Sequence, residues 1–186
     1  MHEGEYLEGK RNGKGKEYNI KGKLIFEGDY LNGELKSGKG KEYYDNGNIM
    51  FEGEYKDGLK NEEGKEYYVN GNILFEGTYL NGKRNGKGKE YYENGNIMFE
   101  GEYLNGFRNG KGKEYDETNE LIFEGEYLNG KRWNGEGIEY NSNGFMEFQG
   151  EYLYGKRWNG TETEYDWEDG EILSEGELLN GLKIEN

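Results

Sequence analysis

The chain has 186 residues, with 24 basic against 39 acidic for a net charge of −15, and it contains 34 Gly but no Pro, no Cys and no Ala. Losing the best helix former while carrying so much glycine excludes a helical protein, and the lack of cysteine excludes disulfide scaffolds, thiolate metal sites and thiol enzymes. Few aliphatic residues and a high charge are the signature of disorder, but 18 Tyr, 8 Phe and 3 Trp argue against it, since each ring can bury roughly 150–250 Å².

The N-terminal Met1-His2-Glu3-Gly4-Glu5 is acidic and has no apolar h-region, which predicts a cytoplasmic protein without a signal peptide. No apolar run exceeds about four residues, against the roughly 18 needed to cross a bilayer, so a soluble protein is expected. His2, the single histidine, is expected to be a frayed terminal residue rather than a ligand or an acid–base group.

From there on the chain is almost entirely repeat. The segment Phe-Glu-Gly-Glu-Tyr-Leu-Asn-Gly recurs in near-copies anchored at Gly4, Gly28, Gly53, Gly77, Gly101, Gly125, Gly150 and Gly176, at spacings of 24, 25, 24, 24, 24, 25 and 26. Within each unit a first strand (Ile97 to Leu104 in one copy) predicts a face of Phe99, Gly101 and Tyr103 directed to the core, with Glu100, Glu102 and Leu104 opposite. An Asn-Gly turn follows, then a second strand ending in Gly-Lys-Glu-Tyr. A second turn of the Asp45-Asn46-Gly47-Asn48 type returns the chain, so every strand can fold back on its neighbour. Tyr stands at one second-strand position in all seven units (Tyr18, Tyr43, Tyr67, Tyr91, Tyr115, Tyr140, Tyr165) while the next residue varies. That invariance predicts a buried Tyr series. Glycines inside the strands predict rings lying over the backbone.

Taken along the chain, the polar motifs read as structure rather than chemistry. Gly-Lys-Gly-Lys lacks the Ser/Thr and the strand-to-helix setting of a phosphate loop, and the Asp/Asn turns lack the ligand spacing of an EF-hand. Carboxylate pairs such as Glu62-Glu63 and Glu168-Asp169 are expected on a solvated face, and no nucleophile has a nearby base. We therefore expect no enzyme, no catalytic residue, no metal and no cofactor. Units five to seven depart from the pattern. Phe107 stands where unit four has Lys83, and inserted residues give Arg132-Trp133-Asn134-Gly135 and Arg157-Trp158-Asn159-Gly160. With Tyr154 these form a candidate partner-binding edge of Phe107, Arg132, Trp133, Tyr154, Arg157 and Trp158, because clustered aromatics and Arg typify binding hot spots. The competing reading is that each indole covers its own hairpin.

The aromatic-x-Gly-x-aromatic segment followed by Asn-Gly-Lys-Arg-Asn-Gly-Lys-Gly resembles the MORN repeat from Glu3 to about Asn186, and Asn-Gly-Asn-Ile-Met-Phe is similar to MORN variants of bacterial antitoxin-like proteins. The resemblance implies a non-enzymatic scaffold or protein-interaction module. The expectation is an all-β chain, a single domain over residues 1–186, with about seven and a half MORN-type hairpins in an elongated antiparallel meander. Two strands per unit at about 4.8 Å would make this twisted, rod-like sheet about 70 Å long. The expected partner is a protein, a peptide or helix laid along the repeat. A phospholipid-associating module and a homodimer through a terminal repeat, where Leu178 replaces the usual Tyr, are the alternatives. Acidic charge, reaching −6 in the unit from Gly150, argues against nucleic acid and against membrane lipid.

Overall fold

The computed structural model describes residues 1–166 and 169–184; Glu168, of the Glu168-Asp169 pair, lies outside them. Among these residues there is no helix, and sixteen strands follow one another in sequence order in one open antiparallel sheet. Contacts gather the chain into two compact units, Met1–Asn96 with Tyr103–Gly106, and Ile97–Glu102 with Phe107–Asn186. The first contains β1 (His2–Leu7), β2 (Lys10–Tyr18), β3 (Leu24–Leu31), β4 (Glu34–Tyr43), β5 (Ile49–Lys56), β6 (Leu59–Tyr67), β7 (Ile73–Leu80) and β8 (Lys83–Tyr91). β9 (Ile97–Leu104) is divided between the two. The second continues with β10 (Phe107–Tyr115), β11 (Leu121–Leu128), β12 (Lys131–Tyr140), β13 (Met146–Leu153), β14 (Lys156–Tyr165), β15 (Ile172–Leu179) and β16 (Leu182–Ile184).

Turn chemistry makes the meander. At one edge Asn81 and Gly82 take φ of +50° and +83°, the mirror-image turn whose twist matches paired strands. At the other edge the Tyr44 carbonyl accepts the Gly47 N–H at 2.8 Å, and the Asn46 side chain accepts the Asn48 N–H at 2.9 Å.

The core occupies one face, as the alternation implies. Gly77 pairs with Gly64 on one side and Gly88 on the other, and the Phe75 ring lies over this strip of bare backbone. A Cβ on Gly88 would stand 2.5 Å from the ring, and one on Gly77 would stand 2.6 Å from the Gly88 Cα. Tyr79 and Tyr103 meet Phe75 edge-on, with centroids 5.7 and 5.3 Å away, and the Arg84 guanidinium caps the ring at 4.0 Å. Phe75 is thereby 0% exposed, with no second layer over it among the described residues. In the second unit Phe123 repeats this arrangement between Tyr127 and Tyr152 beneath Arg132.

Two expectations are corrected. The invariant Tyr series is not buried: its members are half-buried or, at Tyr140, exposed, and they do not outrank the residues that follow them. Register explains this. Counting in twos from Gly64 puts Glu66 opposite Phe75 on the core face, and alternation puts Tyr67 on the other face. There its hydroxyl donates to Glu52 at 2.6 Å, as Tyr91 does to Glu76 at 2.7 Å. His2 is likewise not frayed. It sits in β1 two residues before Gly4, where the next six units have Phe, with its ring edge-on to Tyr30 at 4.8 Å.

Unit length has a structural meaning. In the longer units one residue bulges out of the ladder: Asp29 pairs with Ser37 and Tyr30 with Leu35, leaving Lys36, and Trp133 and Trp158 are left in the same way. In the 24-residue unit from Gly53, Asn61, Glu62 and Glu63 face Glu54 alone, and Glu62 takes φ +58°. Gly13, Gly86 and Gly110 hold the corresponding left-handed position in other units. A side chain there is strained by about 1–2 kcal/mol, partly offset by the lower freedom of the unfolded chain. Glu62→Gly is therefore expected to stabilise the protein by roughly 0.5–1 kcal/mol. Urea unfolding checks this, and a lower midpoint would show that the bond from Asn61 Nδ2 to Glu62, 3.2 Å, outweighs the strain.

Candidate interaction edge of the second unit

The aromatic residues of the second unit are placed by its tight turns. Phe107 opens β10, is 57% exposed, and lies against the Gly130 turn, 3.8 Å from where a Cβ would stand. Trp133 bulges from β12 and its six-membered ring covers Gly155, one hairpin further on; Trp158 covers Gly181 in the same manner. Each indole thus covers the next turn rather than its own hairpin. The Trp133 and Trp158 carbonyls accept the Gly155 and Gly181 N–H groups at 2.8 and 2.7 Å, which fixes the bulges over those turns.

Tyr154 completes the cluster. Its ring centroid lies 5.8 Å from that of Trp133, and it is 65% exposed. Its φ is +53°, a value that Asn105, Asn129 and Asn180 take at the same turn position. Asn tolerates that conformation better than Tyr, so the turn is strained at this point.

The two arginines of the expected edge belong elsewhere. Arg132 and Arg157 turn onto the ring face, where their guanidiniums lie 5.0 Å from Phe123 and 5.1 Å from Phe148. Arg132 Nε donates to Glu114 at 2.8 Å, and Arg157 bonds Glu139. They are part of a network that sequence reasoning missed. Core tyrosine hydroxyls donate to the Glu of each Gly-Lys-Glu-Tyr segment: Tyr55 to Glu42 at 2.7 Å, Tyr79 to Glu66 at 2.6 Å, Tyr127 to Glu114 at 2.9 Å. Lys60 and Arg84 add charge-assisted bonds to Glu42 and Glu66. The signal was present, because this Glu recurs as faithfully as the Tyr beside it.

Burial works against the charge of Glu66, but the Arg84 and Tyr79 hydrogen bonds outweigh it and hold the carboxyl below its ordinary range. The tyrosines move the other way. Burial and the Glu17 bond push Tyr30 up to about 12, and Tyr79 and Tyr127 go up for the same reasons. A phenol whose folded pKa is raised contributes stability that is full below its unfolded pKa, near 10, and lost as pH rises through the folded value. Stability should therefore hold to about pH 10 and fall between about pH 10 and 12. Absorbance at 295 nm and circular dichroism recorded together check this, and full phenol ionisation centred on pH 10 in still-folded protein would contradict it.

An open cleft of about 530 Å³ in this unit is lined by Arg108, Glu114, Tyr127, Arg132, Glu139 and Tyr140 among others. Glu114 pairs there with Arg108 and Arg132, while Glu139 pairs with Arg157. Among the described residues no group of three or more His, Asp or Glu is arranged to hold a metal ion, and no helix is long and apolar enough to cross a membrane.

A MORN-repeat family model matches residues 2–23, 51–73, 75–97 and 99–119, and a MORN-repeat variant model matches 36–57, together more than half of the chain. The chain belongs to the MORN-repeat family. Comparison with curated proteins finds no match. MORN repeats are modules for interaction with proteins and membranes and not a known enzyme family. The hairpins bearing Trp133, Tyr154 and Trp158 lie outside those matched residues, where this MORN chain departs from the shared pattern.

Proposed function

We propose that this MORN protein is a non-enzymatic scaffold that binds a protein partner through the aromatic turn edge of its second unit. The observation that carries the reading is Tyr154, a mostly exposed ring held in a left-handed turn that Asn fills at less strain in neighbouring hairpins. Its edge contact with Trp133 still leaves the ring 65% exposed. Phe107, Trp133 and Trp158 extend the apolar surface, and a net charge of −15 favours a protein over an anionic lipid surface.

Stability and binding separate the roles of the edge. Tyr154→Asn is expected to raise stability by roughly 0.5–1 kcal/mol by relieving the turn. The same change, with Phe107→Ser, should lower capture of the partner from an extract of the source organism at least tenfold in quantitative affinity precipitation. Equal capture by wild type and variant would sink the edge as the binding surface. Sedimentation with phosphatidylserine vesicles tests the lipid alternative, and strong binding at physiological salt would replace the protein reading.

A further inference from the structure

The face of the second unit opposite the Phe core carries an arrangement of charge that folding does not explain. In β4 of the first unit a cation holds the corresponding place: Lys39 lies opposite Glu27 of β3 and Glu54 of β5. In the second unit Glu136 of β12 occupies that place, opposite Glu124 of β11 and Glu151 of β13. Three carboxylates stand side by side on adjacent strands, and all three residues are exposed. Like charges directly opposite on neighbouring strands are destabilising. Lys113 reaches Glu124 at 3.1 Å from one side.

This row adjoins the aromatic edge through two asparagines. Asn134 donates to Glu126 at 2.9 Å and accepts the Tyr154 N–H at 3.0 Å, beside Trp133. Asn159 donates to Glu151 at 2.7 Å and accepts the Asn180 N–H at 2.9 Å, beside Trp158. Exposed Leu128, 40% accessible, lies between Glu126 and the turn. The surface therefore presents rings and leucine along the turn edge with carboxylates set back one step along the strands.

Resting on the reading of this edge as a protein-binding surface, we propose that its occupant is a basic amphipathic segment of a partner protein. Apolar side chains of the segment would seat on Trp133, Tyr154 and Trp158, and its lysines or arginines would pair with Glu124, Glu136 and Glu151. A cation over the row relieves the repulsion among the carboxylates, so binding draws on a strain that the free protein retains. Aromatic faces accept cations as well, which suits the same ligand.

The probes are two fluorescein-labelled 18-residue amphipathic helical peptides with one apolar face in common, one with a lysine polar face and one with a glutamate polar face. Fluorescence anisotropy with the full chain is expected to show salt-dependent binding of the lysine peptide at least tenfold tighter than the glutamate peptide. Glu136→Lys, which gives β12 the cation that Lys39 supplies in β4, should weaken the lysine peptide at least tenfold and leave the melting temperature equal or higher. Glu63→Lys, the same charge change on an exposed residue of the first unit, should leave binding within twofold. Trp133→Ser with Trp158→Ser should abolish binding of the lysine peptide. The inference is overturned if the lysine peptide does not bind, if Glu136→Lys has no effect, or if Glu63→Lys weakens binding as much. Equal, Trp-dependent binding of both peptides would remove the basic occupant while leaving the edge itself as a protein-docking surface.

Discussion

Phe75→Ala is expected to destabilise the protein by about 3–5 kcal/mol, the range for deleting a fully buried ring. The ring is 0% exposed although the sheet has one layer, because it is enclosed by its own repeat neighbours. Bare glycine backbone lies beneath it, Tyr79 and Tyr103 stand at its edges, and Arg84 lies over it at 4.0 Å. No side chain from a second layer can move in to fill the gap, so the cavity would persist. At roughly 2–4 °C per kcal/mol for a chain of this size, the transition of the affected hairpins should fall by about 6–20 °C. Repeat arrays need not unfold in one step, so hydrogen exchange should accelerate first in β7 and β8, where the cavity lies. Phe75→Leu keeps most of the volume and should lose about 1–2 kcal/mol. A loss below about 1 kcal/mol for the alanine variant, measured by urea unfolding, would mean that water already reaches the ring.

The features that hold this core were legible in the chain because they are local and repeated. Phe99, Gly101 and Tyr103 fall on one face by simple alternation, and Asn-Gly names its turn without reference to anything distant. Recurrence of the Tyr67 series suggests burial, but the register counted from Gly64 places Glu66, not Tyr67, beside Phe75. Recurrence marks any repeated contact, and the contact here is the hydroxyl bond from Tyr67 to Glu52. The inserted residues of the longer units were visible as spacing. Their role was not, because a bulge reaching the next turn is a relation between hairpins: Lys36 pairs with Asp57 as Trp133 covers Gly155. Adjacency in sequence suggests one surface for Arg132 and Trp133. The bulge separates them, sending the guanidinium to the core face while the indole lies on the turn.

That core face depends on carboxylates as much as on rings, and Glu114→Ala is expected to cost about 2–4 kcal/mol. Glu114 accepts the Tyr127 hydroxyl at 2.9 Å, Arg132 Nε at 2.8 Å and Arg108 Nη1 at 3.4 Å. Removing it leaves a buried phenol without this acceptor and two guanidiniums with less counter-charge. Breaking a buried pair from one side costs about 3–5 kcal/mol, and the partial exposure of this one, near one-fifth for each side chain, lowers the figure through solvent screening. Glu114→Gln keeps a neutral acceptor and should lose about half as much. A double-mutant cycle separates the phenol from the cations. Tyr127→Phe alone should cost about 1 kcal/mol, and in the Glu114→Ala background it should cost almost nothing, because the orphaned hydroxyl is then gone. Additive losses would show that Tyr127 finds water in place of Glu114. Coupling of that size would make the Tyr–Glu–Arg contacts, rather than a second layer, the closure over the Phe rings, and would explain why the Glu of Gly-Lys-Glu-Tyr is retained in units whose turns have diverged.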